Sequence, residues 1–337
     1  MKKIKVGVIG TGRIGKLHLE NLSVRIPSAE VVAVADIFVE GAEEISARFG
    51  IKKVTADYRK ILSDKDVEAV VVCSPTDTHA QYTMEAAEAG KHIFCEKPLD
   101  LSLEKIRMVL DVIEKTGVKL MIGFNRRFDP NYAKVQQMVQ DGKIGEPHIL
   151  KITSRDPAPP PAEYVAVSGG MFLDMTIHDF DMARFVVGSE ISEVYAKTNV
   201  LVDPAIGKAG DVDTAVTILF FENGAIGTID NSRKAVYGYD QRLEIFGSEG
   251  MVKIENNTHD THAYYNKESS HGPLPLDFFM DRYVQSYANE MEAFINAVVN
   301  DEMVPVPGND GLISVAIGLA AKKSAQENRP VKLDEIL

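Results

Sequence analysis

Four short segments of the 337-residue chain carry residue types at spacings that suit chemistry. Gly10-Thr11-Gly12-Arg13-Ile14-Gly15 has the spacing GxGxxG, directly after an apolar run and at the start of a helical pattern. In that setting Gly10 makes a tight turn, Gly12 lets the backbone approach a pyrophosphate and Gly15 lets helix and strand pack closely. The helix start around Arg13 and Ile14 then offers free N–H groups to phosphate. Asp36 closes the next apolar run about 20 residues on, where a carboxylate accepts ribose hydroxyls and repels a 2′-phosphate. Ile37 and Phe38 follow it without a cation, so the pattern favours NAD over NADP. A helix N-cap is the alternative use of Asp36. Ser74-Pro75-Thr76-Asp77-Thr78-His79 and Glu96-Lys97-Pro98 end two later apolar runs, at the carboxyl ends where open α/β sheets bind ligands. Asp174 and His178 stand four residues apart, so a helix presents both on one face.

Each of these has a plain structural alternative. Glu96-Lys97-Pro98 alone reads as an ion pair or a solvated turn, and Asp174 with His178 as a structural helix pair. Asp174, His178 and Asp181 have metal-ligating types but no soft ligand or second histidine nearby, so no metal is expected. His259-Asp260-Thr261-His262 has polar flanks and reads as an exposed turn. Cys73 and Cys95 end two core-like runs and read as buried small hydrophobes. Two cysteines make no disulfide framework.

The elements that must position these residues follow from periodicity. Near-continuous Val/Ile-rich runs at 4–9, 31–35, 69–73, 92–95 and 119–122 read as parallel strands covered on both faces. Helical patterns at 14–22, 40–49, 78–89 and 103–115 lie between them, with Gly90 and Gly117 in C′ positions and Ser102 as an N-cap. Beyond Phe124 come a helix at 130–140, a strand at 148–154 and an extended Pro157-Ala158-Pro159-Pro160-Pro161 loop. A helix at 172–187 precedes successive strands from 194 to 255, separated by turns and read as antiparallel. Helices at 286–299 and 312–327 close the chain. The expected architecture is an α/β N-terminal Rossmann domain over residues 1–124, with a doubly wound parallel sheet. An α+β domain with a large open, mostly antiparallel sheet is expected over 125–337.

Composition sets the partners. Apolar residues make up 45% and charged residues 26%, an ordinary globular mix. With 49 acidic against 37 basic residues the net charge is −12, which disfavours nucleic acid and anionic membrane surfaces. The positive N-terminus runs into a short apolar stretch and glycines without a cleavage site, so a cytoplasmic location is expected.

Taken in order, these motifs resemble the glucose–fructose oxidoreductase/inositol dehydrogenase/rhizopine-catabolism (Gfo/Idh/MocA) family. The match continues through Gly123-Phe124-Asn125-Arg126-Arg127-Phe128 and the run from Gly169 to Asp179, and covers essentially the full chain. Ser154-Arg155-Asp156-Pro157 and the stretch 173–181 are similar to its bacterial inositol-oxidising members. The resemblance implies NAD-dependent oxidation of myo-inositol to its 2-keto form, or of another cyclic polyol or sugar. NAD-assisted glycoside hydrolysis and non-catalytic dinucleotide binding are the other activities it leaves open.

It also implies roles. His178 is the base for the hydroxyl proton, a task imidazole suits near neutral pH. Asp174 accepts a substrate hydroxyl and favours the charged imidazole. Lys97 holds the developing alkoxide. Gly10, Gly12, Arg13, Ile14, Asp36, Ser74, Thr76, His79, Glu96 and Lys97 are expected around NAD. Arg127, Arg155, Asp156 and Tyr237 join the three catalytic residues around a polyol. The outward face of the second sheet, with Val216, Ile218 and Phe220, needs cover, and the resemblance implies self-association there to a tetramer.

Overall fold

The computed structural model describes residues 3–337. The chain divides into two compact units, Met1–Phe128 with Gln285–Val315, and Asp129–Val284 with Ala316–Leu337. A single boundary at residue 124 therefore misses the return of a late segment to the first unit. That return has a local cause. The Ile122 N–H donates to the Val306 carbonyl at 3.0 Å and the Phe294 ring packs against Phe94. The segment thus covers a strand that would otherwise be an open sheet edge.

The first unit holds six parallel strands: β1 (Ile4–Ile9), β2 (Ala29–Ala35), β3 (Lys53–Thr55), β4 (Ala69–Val72), β5 (His92–Glu96) and β6 (Leu120–Gly123). Their order is β3-β2-β1-β4-β5-β6. The strand order reverses between β1 and β4, which opens a crevice at their carboxyl ends. Val6, Val8, Val70, Val71, Val72, Ile93, Phe94 and Ile122 are fully buried, as expected for strands covered on both faces. The crossovers are α1 (Arg13–Glu20), α2 (Val39–Ala47), α3 (Arg59–Leu62), α4 (Thr76–Glu88) and α5 (Leu103–Thr116). Helix α5 shows the expected caps: Ser102 Oγ accepts from the Lys105 N–H, and Gly117 adopts φ 68°. Strand β3 and helix α3 have three and four residues, too few to leave a periodic signal.

The second unit begins with α6 (Pro130–Gln140), capped by Asp129 through the Asn131 and Tyr132 N–H groups. Next come β7 (Pro147–Arg155), α7 (Ala162–Ser168), α8 (Ile177–Val187), β8 (Ile191–Asn199) and α9 (Pro204–Lys208). Strands β9 (Thr214–Phe221), β10 (Ile226–Ser232), β11 (Asp240–Gly247) and β12 (Met251–Ile254) follow, then a small ribbon of β13 (Tyr264–Tyr265) and β14 (Ser270–His271). The chain ends with α10 (Phe279–Arg282), α11 (Val284–Val299), α12 (Gly308–Glu327) and β15 (Val331–Lys332). The sheet order is β12-β11-β7-β10-β9-β8-β15.

The sheet is mostly antiparallel, as expected: the strands from 194 to 255 pair with one another antiparallel, and β7 joins β10 as a parallel pair. One expectation needs correction. The helix read over 172–187 is broken: a π-helical turn at Met171–Met175 precedes α8. Gly169 and Gly170 at φ 91° and 74° set up that turn. The Asp211 carboxylate accepts the Met171 N–H and lies where a Cβ on Gly170 would sit, 2.5 Å away.

Strand alternation sorts the sheet's two faces. Leu150, Ile152, Leu219, Ile229, Leu243 and Ile245 are buried on one. On the other, Phe246, Ile149, Ile226 and Phe220 fall in one cross-strand row by register. The first three are exposed, as is Val216, whereas Ile218 and Phe220 are half-buried.

Candidate active site

The three glycines of the first motif are required for three different reasons. Gly10 has φ 95°, and a Cβ there would lie 2.6 Å from the Cys73 carbonyl. A Cβ on Gly15 would meet the Gly10 carbonyl oxygen at 2.0 Å, so α1 and β1 approach as backbone against backbone. A Cβ on Gly12 would meet nothing within 4 Å. Gly12 is the N-cap of α1, without a side-chain cap bond, and the first turn of α1 carries no acid. An open approach to uncapped N–H groups is what a pyrophosphate needs, and Arg13 and Ile14 sit in that first turn. The residues present fit a dinucleotide.

Asp36 is held at the same place. Its Oδ2 accepts the Thr11 N–H at 2.6 Å and the Thr11 hydroxyl at 2.8 Å, and its Oδ1 accepts the Phe38 N–H. Helix α2 starts at Val39 with Phe38 as its N-cap, so the alternative capping role for Asp36 is not realised. The neighbouring Ile37 and Phe38 side chains are exposed and apolar.

The two motifs at the ends of β4 and β5 are tied together by His79. Its Nδ1 lies 2.8 Å from the Pro98 carbonyl and its Nε2 2.8 Å from the Ser74 carbonyl. Carbonyl oxygens only accept, so both ring nitrogens must donate and the ring is an imidazolium. Burial opposes that charge, but Cys95 and the two carbonyls outweigh it and raise the pKa to about 9. A ring that is 2% exposed and engaged on both sides has no nitrogen left for a cofactor. The expected cofactor contact is therefore a strut between two motifs. Ser74 and Thr78 hydroxyls bond at 2.6 Å, and half-buried Thr76 opens α4. Glu96 does not face outward as a cofactor ligand: its Oε1 lies 2.7 Å from His18 Nε2. Lys97 follows at the end of β5. Cys73 and Cys95 are free thiols, and burial pushes the Cys73 thiol up, with Glu96 adding to the effect.

In the second unit, Asp174 lies on the π-helical turn and His178 in the first turn of α8, both half-buried. The start of α8 is anchored to the sheet by Asn231. Its side chain accepts from the Thr176 hydroxyl at 3.0 Å and donates to Asp179 at 3.0 Å and to the Ser154 carbonyl. Sequence reading missed Arg233, at the turn after β10. It is 4% exposed and pairs with Asp156 at 3.2 Å and Asp174 at 3.4 Å. Tyr164 Oη donates to Asp174 at 3.0 Å. One guanidinium thus carries two expected site carboxylates, and Asp174 has a permanent cationic partner besides any imidazole. Burial opposes the Arg233 charge, but Asp174 and Asp156 raise its pKa overall. No local pattern flags Arg233, because its partners lie 59 and 77 positions away.

The other expected substrate residues have partners of their own. Arg127 pairs with Asp310 at 3.0 Å in the first unit. Arg155 falls on the outward face of β7, one residue before Asp156. It pairs with Asp230 at 2.6 Å and donates to Tyr237 Oη, which donates to Asp240. Strand alternation explains the separation of Arg155 from Asp156. The His259–His262 segment is an exposed turn, as expected.

Two outcomes are expected. The folded-state pKa of His79 is raised, so its stabilisation is full below about pH 6.5 and is lost as pH rises through about 9. Urea unfolding of wild type and His79→Leu across that range should show their stability difference shrink, by on the order of 3 kcal/mol. A pH-independent difference would mean a neutral ring. For Asp36, kcat/KM should favour NAD over NADP by at least about tenfold, the equivalent of ~1.4 kcal/mol. Asp36→Ala should narrow the ratio, and equal values in the wild type would reject the assignment.

Comparison with known proteins agrees with this geometry. Residues 4–124 match the oxidoreductase family NAD-binding Rossmann fold, and residues 132–253 match the GFO/IDH/MocA C-terminal domain. The chain is 49% identical to a myo-inositol 2-dehydrogenase of Thermotoga maritima, over 99% of this chain and 100% of that protein. It is 47% identical to an inositol 2-dehydrogenase of Rhizobium meliloti, over 98% and 99% of the two. Among solved structures, scyllo-inositol dehydrogenase of Lactobacillus casei with bound NAD(H) and scyllo-inositol superposes with a TM-score of 0.92. That protein is 33% identical, with 99% of this chain and 100% of that one covered. A dinucleotide cradle followed by this second domain, matched along the whole chain, makes the protein a member of the Gfo/Idh/MocA family of NAD-binding oxidoreductases.

Proposed function

We propose that this protein oxidises myo-inositol to 2-keto-myo-inositol (scyllo-inosose) with NAD. The observation that carries the reading is full-length similarity to inositol 2-dehydrogenases, with Lys97, Asp174 and His178 all present at the motif positions. NAD, when bound, supplies the hydride acceptor. The chain's own residues handle the proton and the geometry. His178 takes the proton of the hydroxyl on the carbon that loses hydride, leaving a ketone. Lys97 places an ammonium at the oxygen as negative charge develops, where no solvent reorganisation is needed. Asp174, fixed between Arg233 and Tyr164, is a preset acceptor for a substrate hydroxyl. Asp156 shares the same guanidinium and offers a second acceptor. Arg127 adds a cationic donor on the first unit.

The exposed apolar row across β11, β7, β10 and β9 supports self-association through that face, with a tetramer as the assembly. A cytoplasmic setting agrees with the acidic charge balance and with there being no helix among the described residues long and apolar enough to cross a membrane.

Purified protein should form NADH with free myo-inositol, and faster than with scyllo-inositol, chiro-inositol or glucose. Dominance of another polyol would move the substrate, and no net NADH with any would point to the hydrolase or the binding protein. His178→Ala should lower kcat about 10²–10⁴-fold with little change in NAD affinity. Near-normal turnover would remove His178 from the mechanism. Ile226→Glu with Phe246→Glu should reduce the mass seen by light scattering, and an unchanged mass would exclude that face.

A further inference from the structure

Behind the Glu96-Lys97-Pro98 motif lies a group of side chains that the proposed chemistry does not use. His18 on α1, Glu96 at the end of β5 and Glu290 on α11 bring a ring nitrogen and two carboxylates within 4.8 Å of one another, all in the first unit. The His18 and Glu290 side chains are 0% exposed and that of Glu96 is 13% exposed. His18 lies against the edges of Phe94 and Tyr287, with ring centroids 5.1 and 5.8 Å away. Its Nε2 is 2.7 Å from Glu96 Oε1 and 3.9 Å from Glu290 Oε1. His18 Nδ1 and both Glu290 oxygens have no hydrogen-bond partner among the described residues.

These contacts fix where the protons are. A proton on Nδ1 would be buried without an acceptor, so the ring carries its proton on Nε2 and donates to Glu96. A buried carboxylate with no donor is strongly disfavoured, so Glu290 is a neutral acid; its burial and the nearby Glu96 push its pKa well up. A 2.7 Å N···O contact is a hydrogen bond, and this favours a proton over a metal ion between the two groups.

The carboxylate is also pressed from the other side. Glu96 pairs in register with Gly123 on β6, and a Cβ on Gly123 would sit 3.0–3.2 Å from the Glu96 carboxyl atoms. A side chain at position 123 would push the carboxylate by a few tenths of an ångström. Lys97 follows Glu96 directly, at the bend that ends β5, so a shift of the Glu96 carboxylate moves the backbone that carries the lysine.

We propose that His18 and Glu290 are positioning residues that clamp the Glu96 carboxylate over Gly123 and thereby aim the Lys97 ammonium. This rests on the reading of Lys97 as the group that holds the alkoxide. The clamp also links the phosphate-binding helix to the lysine, because His18 and the dinucleotide turn share α1.

A double-mutant cycle tests it. His18→Leu should lower kcat with myo-inositol at least about tenfold, with the NAD dissociation constant changed less than about threefold. His18→Gln, whose amide N–H can replace Nε2–H, should recover most of the loss. Glu290→Gln, which keeps shape and neutrality, should likewise recover most of what Glu290→Ala loses. In a Lys97→Ala background His18→Leu should cost almost nothing further, because both act through one group. Losses that multiply would overturn the clamp, whereas near-normal activity of Lys97→Ala alone would overturn the reading of Lys97 instead. Competitive acetic-anhydride labelling of the NAD-free protein reads the clamp without turnover. Relative to other lysines, Lys97 labelling should change at least about threefold in His18→Leu, and an unchanged rate would overturn the proposal. If His18→Leu fails to fold, Gly123→Ala displaces the same carboxylate from β6 and should give the same labelling change. Activity lost on chelation and restored by a divalent cation would replace the clamp with a metal site.

Discussion

The backbone of Gly15 lies against the backbone of Gly10, and most of the first unit's chemistry depends on that close approach. It sets α1 directly over the end of β1, with its uncapped N–H groups at the reversal of strand order. The same helix presents His18 to Glu96 one turn later. Thr11, inside the turn, hands two donors to Asp36. A side chain at Gly10 or Gly15 would displace all three together. Packing that permits no Cβ is therefore what couples the start of α1, the Asp36 carboxylate and the strand end bearing Lys97.

The second unit follows a different constraint, the sharing of buried charge. Arg233 is nearly inaccessible, and a buried guanidinium without carboxylates is too costly to keep. Asp156 and Asp174 satisfy it, and their own positions are fixed in return. The π-helical turn that carries Asp174 is held by Asp211 at its N-terminal end, and α8 by Asn231 at its start. The two carboxylates are thus held in place by protein contacts alone. Preorganisation of this kind lowers the cost of aligning whatever such groups bind.

Much of this protein is legible in its residues alone. GxGxxG followed by Asp36 implies the dinucleotide fold because the glycine turn and the acidic strand end are both local in sequence. Strand and helix order emerge from apolar periodicity, since strands buried on both faces and amphipathic helices leave different patterns. Lys97, Asp174 and His178 stand out because their neighbours form ordered motifs. Tertiary structure alone decided the rest. It returned 285–315 to the first unit, because an exposed edge strand needs cover and no local pattern says which segment provides it. It turned His79 from a cofactor contact into an imidazolium strut, since the carbonyls that demand its protons belong to two separate turns. It separated Arg155 from Asp156 by strand alternation and joined Asp156 to Asp174 through Arg233, a residue distant in sequence from both. Periodicity records which way a side chain faces, whereas the partner of a buried charge is set by long-range packing.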